Sequence, residues 1–177
     1  MEYDERLLTD APRKKSVSRF RPAAWVLIPL TAVLFQVYVT RFIETLSYLE
    51  LPLLVTIYFS LMRRQPIAGA VIGSAIGLLQ DSLAHHEMGL YGIAKTLTGY
   101  FAASLSQRFD VDNPALRLVA TFFLFILHQA LFWVLAVGLL GRQLQFQAPQ
   151  TVIYAFLNSL VAVPLYLILD RLKSESR

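Results

Sequence analysis

Asp81 and Lys95 interrupt two neighbouring apolar stretches, and a carboxylate and an ammonium so placed point to one chemistry, an interhelical ion pair. Either charge alone at hydrocarbon depth is penalised, so each requires a partner. In an antiparallel hairpin centred near His86 the two differ in depth by roughly 6 Å at 1.5 Å per residue, a gap a lysine side chain covers. The pair then locks the hairpin, the plainer expectation, or offers a polar docking point to another membrane protein. His128 beside Gln129 and Asn158 beside Ser159 fall in the middle of two later apolar stretches. Antiparallel packing brings His128 and Asn158 to similar depth, where hydrogen bonds of about 0.6–2 kcal/mol join helices. Packing is favoured over a proton relay, because the linear sequence offers no second carboxylate or histidine at matching depth.

Other reactive patterns are read as inert. His85, His86 and Glu87 are consecutive, and adjacent histidines on a regular helix cannot face one ligand, so a solvated loop is expected there and no metal site. Asp110 and Asp112 stand beside Asn113 and Pro114, a helix-start signal. The chain has no HExxH, paired-glutamate intramembrane protease pattern, GxSxG or phosphate loop, and no cysteine. Catalytic residues, cofactors and metals are therefore not expected.

The elements that position these groups are helices in lipid. A 177-residue chain that is 56% hydrophobic with mean hydropathy +0.53 is too apolar for a soluble domain of its size. Six apolar segments can be marked: Pro22–Val39, Ser47–Met62, Ile67–Leu83, Leu90–Leu105, Ala115–Leu140 and Pro149–Leu169. The second is the weakest, since Glu50 and Pro52 leave it shorter than a bilayer core unless tilt, thinning or neighbouring helices help. Pro22, Pro66, Pro114 and Pro149 each mark a helix start, whereas Pro29 and Pro164 fall inside helices.

The net charge of +4 could suggest nucleic acid, but its distribution argues for topology and against a nucleic-acid partner. Arg63 and Arg64, Arg108 and Arg117, and Arg171 and Lys173 share one side with the basic N-terminal tail, while the alternate connections hold Arg41 and Arg142. Six spans with both termini in the cytoplasm satisfy this pattern. Residues 1–20 read as a disordered basic tail that can rest on anionic membrane lipids, residues 21–171 as the transmembrane domain and residues 172–177 as a second cytoplasmic tail. The first apolar run reads as a full span with no small-residue cleavage site, hence not as a removable signal.

Within the third span Gly69, Gly73, Gly77 and Asp81 recur every four residues, placing three glycines and a carboxylate on one stripe. Glycine weakens a helix but lets a second backbone approach closely in lipid. Gly92 and Gly99 give the fourth span a small-residue face around Lys95. The ridge either receives a partner's helix or packs the third helix on the fourth.

The order of these features resembles the rod shape-determining protein MreD family of bacterial inner membranes. The carriers are Pro52 before a run containing Tyr58, the Arg63-Arg64 turn, the series ending Gly77-Leu78-Leu79-Gln80-Asp81, the later Gly89, the Gly99-Tyr100 pair, and Asn158 with Pro164. The resemblance implies a non-enzymatic, multi-pass component of the elongation machinery that inserts side-wall peptidoglycan. Its implied partners are the bitopic protein MreC, then the glycosyltransferase RodA, a class B penicillin-binding transpeptidase and the MreB filament. It also implies a fold like the substrate-binding S-components of energy-coupling-factor transporters, whose vitamin binding is the alternative function. Against that alternative, Ala23, Ala24 and Ala32 do not reproduce the alanine-xxx-alanine surface those subunits present.

Overall fold

The computed structural model describes residues 22–84, 89–111 and 113–172. The expectations for the basic tail, for His85, His86 and Glu87, for Asp112 and for residues 173–177 lie outside these residues. Among the described residues six α-helices follow one another: α1 (Pro22–Tyr38), α2 (Leu51–Arg63), α3 (Pro66–Ala84), α4 (Leu90–Arg108), α5 (Pro114–Gly138) and α6 (Ala148–Arg171). Two 3-10 turns, Val39–Arg41 and Glu44–Tyr48, join α1 to α2.

The local signals act where the sequence places them. Pro22, Pro66 and Pro114 are first residues of helices and Pro149 is a second residue, positions whose missing N–H leaves no intrahelical bond unmade. The Asn113 side chain accepts a hydrogen bond from the Ala115 N–H at 2.9 Å and so caps α5. At the end of α2, Arg64 adopts a left-handed φ of 53° and its carbonyl accepts from the Gln107 side chain at 3.1 Å, fixing the α2–α3 turn beside the last turn of α4.

The bundle is built around its shortest helix. With 13 residues α2 reaches only about 20 Å at 1.5 Å per residue, well short of a hydrocarbon core of about 30 Å. Every residue from Pro52 to Met62 is buried. Trp25 of α1 stacks on Phe59 with ring centroids 4.5 Å apart, and Tyr58 packs on Tyr166 of α6 at 5.1 Å. Of the three remedies for a short second span, cover by neighbouring helices is the one observed.

Among the described residues five segments are long and apolar enough to cross a membrane: Ala23–Arg41, Leu46–Arg63, Pro66–Ala84, Pro114–Gly138 and Ala148–Arg171. The missing one is α4, so the weakest span by apolarity is the fourth and not the second. Its Lys95, Thr98 and Ser106 are all buried against other helices, so α4 need not be apolar to be shielded from lipid. The outer surface is inverted relative to a soluble protein: Ile67 is 78% exposed and Val26, Phe123 and Phe156 each more than 60%. The chain is a multi-pass helical membrane protein.

Candidate functional site

The third and fourth helices meet along a backbone-to-backbone seam. A Cβ added at Gly69 would fall on the Gly99 carbonyl oxygen, one at Gly73 on the Lys95 carbonyl oxygen, and one at Gly77 on the Tyr91 carbonyl oxygen. Gly99 faces Gly69 in return. The glycine stripe is therefore filled by α4. A partner helix on the same three glycines would have to displace it; of the two readings of the ridge, the geometry is that of the third helix packed on the fourth.

The register of that seam sets the fate of Asp81. Lys95 stands opposite Gly73, which is two helical turns, or about 12 Å, from Asp81 along α3. Asp81 instead turns onto the start of α4, where its Oδ2 accepts from the Gly89 and Gly92 amides, each at 3.0 Å, and its Oδ1 from the Tyr91 amide at 3.2 Å. These amides have no acceptor within their own helix, and the positive end of the helix dipole adds to the attraction. Gly89, at φ 101°, makes the left-handed bend that aims them at the carboxylate. The expected Asp81–Lys95 ion pair is thus replaced by a buried helix cap. Asp81→Ala should lower stability by about 2 kcal/mol, the upper range for a lost cap, and Asp81→Asn by about half of that. Hydrogen exchange should accelerate at the Gly89, Tyr91 and Gly92 amides, and Asp81→Asn should be additive with Lys95→Met; strong coupling between the two would restore the ion-pair reading.

Lys95 finds its counter-ion on α2's leading edge. Its Nζ lies 3.8 Å from Glu50 Oε2 and 4.4 Å from the centre of the Tyr91 ring, an ion pair supplemented by a cation–π contact. Glu50 Oε2 is also 3.7 Å from His128 Nδ1. Lys95 and His128 are wholly buried, and the Glu50 side chain is 13% exposed. Among the described residues Glu50 Oε2, Lys95 Nζ and both His128 ring nitrogens find no hydrogen-bond partner. Three ionisable side chains from three elements thus share one small volume, which can exchange a proton among them or hold water on the open valences. The premise that His128 has no carboxylate at its depth is corrected, because Glu50 supplies one.

Asn158 joins helices as expected but not through His128. Its Oδ1 accepts from the Glu50 N–H at 2.9 Å, and its Nδ2 donates to the Tyr48 carbonyl at 2.8 Å and the Tyr154 carbonyl at 2.9 Å. It fastens the segment carrying Glu50 to α6, and the Tyr48–Tyr154 ring stack, 4.7 Å between centroids, adds to the same tie. In the linear sequence Glu50 reads only as a flaw in the second span. The signal that could have found it is its depth: it opens α2 at the end of the bundle where α4 begins, the end that holds Lys95.

The opposite end carries a second cluster that the sequence reading missed. Arg117 donates from Nη1 to Asp170 at 2.5 Å and from Nε to the Val111 carbonyl, while Tyr58 donates to the other Asp170 oxygen at 2.7 Å. Beside it Tyr166 meets Thr121 at 3.1 Å and donates to the Leu54 carbonyl at 3.2 Å. α2, α5 and α6 are thereby bonded together at the arginine-rich end; at the other, Asn158 of α6 bonds the Glu50 segment and Glu50 pairs with Lys95 of α4.

Searches of curated proteins and of solved structures each return no match. A family model does match, over residues 18–174, and its description is rod shape-determining protein MreD. The matched range takes in all six helices, the glycine seam and both polar clusters, and the chain belongs to the MreD family.

Proposed function

We propose that this protein is a non-enzymatic scaffold of the rod-shape machinery in the bacterial cytoplasmic membrane, acting through contact between its own helices and those of MreC, with RodA, a class B transpeptidase and MreB as further partners. Membership of the MreD family carries the rod-shape role. What supports a scaffold is how the buried polar groups are engaged: Asp81 holds backbone amides, Asn158 holds the Glu50 segment, and Arg117 holds Asp170. Each fixes one helix to another, as a rigid platform requires. In this proposal both termini lie in the cytoplasm. Arg63, Arg64, Arg108, Arg117 and Arg171 belong to the helix ends that meet at one side of the bundle, while Arg41 and Arg142 lie on connections at the other. The S-component likeness remains part of the proposal at the level of architecture only. Vitamin binding is not favoured, since Lys95 and His128 are closed off from solvent.

The glycine seam being occupied, a partner must use the lipid-facing surface. Photo-crosslinking residues placed singly at Val71 on α3, Phe123 on α5, and Phe156 and Ile168 on α6 sample exposed positions on three helices. Cross-links to MreC confined to one face are expected; none from any face would refute intramembrane scaffolding.

A further inference from the structure

Between α4 and α5, at the arginine-rich end, the surface opens into a groove of about 500 Å³. Leu105 and Leu127 line it, Phe101, Phe109 and Phe123 form its walls, and Arg108 stands among them. The volume lies within the range of about 300–1,000 Å³ that proteins use for small ligands. The three phenylalanines are 46%, 47% and 64% exposed, so the groove offers aromatic area to whatever enters. Arg108 is the last residue of α4, where that helix leaves the hydrocarbon, and no hydrogen bond or ion pair within the described residues engages it. Arg117, by contrast, is committed to Asp170.

Two other apolar grooves provide an internal comparison. One of about 300 Å³ runs past Ile28, Phe35 and Leu169, and one of about 290 Å³ past Trp25, Phe59 and Leu79; no charged residue lines either. Such surfaces accept acyl chains without regard to headgroup. The α4–α5 groove combines an apolar floor with an uncommitted guanidinium at its mouth, and a guanidinium prefers a phosphate because its planar fork can donate two hydrogen bonds at once. Asp110, the nearest carboxylate in sequence, is outside the lining.

We propose that this groove binds one anionic phospholipid, an acyl chain lying against Phe101, Phe123 and Leu127 and the phosphate resting on Arg108. Basic sites between transmembrane helices select anionic headgroups in this way. Ser104 takes no polar part, since its hydroxyl already donates to the Tyr100 carbonyl at 2.8 Å.

The test is native mass spectrometry of the full chain, stripped of lipid in detergent and titrated with phosphatidylglycerol or with phosphatidylcholine of the same chains. One phosphatidylglycerol should saturate the protein at concentrations where phosphatidylcholine does not. Arg108→Gln should weaken that binding about five-fold, the effect of one basic residue at a membrane surface. Ser104→Trp should fill the groove and abolish it, and Arg142→Gln, at the opposite end, should leave it unchanged. Equal retention of the two lipids, an Arg108→Gln variant that binds like the wild type, or binding that survives Ser104→Trp would each overturn the assignment.

Discussion

Lys95→Met should destabilise the bundle by about 3–5 kcal/mol, because it leaves the Glu50 carboxylate in a buried site without its counter-charge. Among the described residues His128, wholly buried and 3.7 Å from Glu50 Oε2, is the ionisable group left beside it, and Asn158 is already bonded to the backbone around it. The midpoint of thermal unfolding in detergent should fall steeply, and the protein should become sensitive to protease at the segment between α1 and α2. Glu50→Gln alone should be harmful for the mirrored reason, an ammonium stranded among helices. The informative result is the double variant. Glu50→Gln with Lys95→Met removes both charges together, and replacing a buried ion pair by neutral groups is often nearly neutral overall. Recovery of most of the lost stability is therefore expected. A double variant as unstable as the worse single one would mean that Lys95 acts through its stem and through Tyr91, and that the ion pair contributes little.

Gly73→Ala is the second large effect, and its interest lies in its sign. Replacing a helical glycine by alanine normally stabilises by about 0.5–1 kcal/mol, because alanine loses less freedom on folding. At Gly73 the added methyl falls on the Lys95 carbonyl, with the Thr96 amide nitrogen 3.0 Å away. Neither is a side chain that can swing aside, so the two helices must part along the whole seam. A loss of about 3 kcal/mol is expected, the upper part of the range for overpacking. Gly138→Ala supplies the control: it lies at the end of α5, a Cβ there meets nothing within 4 Å, and no loss should follow. Equal behaviour of the two variants in an unfolding assay would show that the seam is looser than its geometry requires.

Much of this architecture is legible in the residues because lipid makes periodicity and charge unusually informative. The proline starts, the Asn113 cap, the arginine-rich connections and the small-residue face on α3 follow from local rules, and each is found where those rules place it. What local rules cannot supply is register between helices. A hairpin centred near His86 puts Lys95 within reach of Asp81, whereas the actual seam sets Lys95 opposite Gly73. That offset sends the carboxylate to the amides of Gly89, Tyr91 and Gly92 and leaves the lysine to a residue on a different helix. The role of Glu50 is not legible for a related reason. Its partners are distant in sequence, and its position before Pro52 reads as a boundary signal. The pairing of Arg117 with Asp170 is not legible because each stands near a span end, where single charges normally meet water.

The brevity of α2 bears on how the protein is made. A segment of 13 helical residues preceded by an acid is a poor candidate for independent release into lipid, and α4, with a lysine in its interior, is another. α2 is therefore best inserted as a paired unit with a longer neighbour, through the tight turn at Arg64. α4 becomes comfortable in the bilayer once Glu50 is already there to receive Lys95. Synthesis from the N-terminus delivers them in that order, so biogenesis and the final ion pairing run in the same direction along the chain.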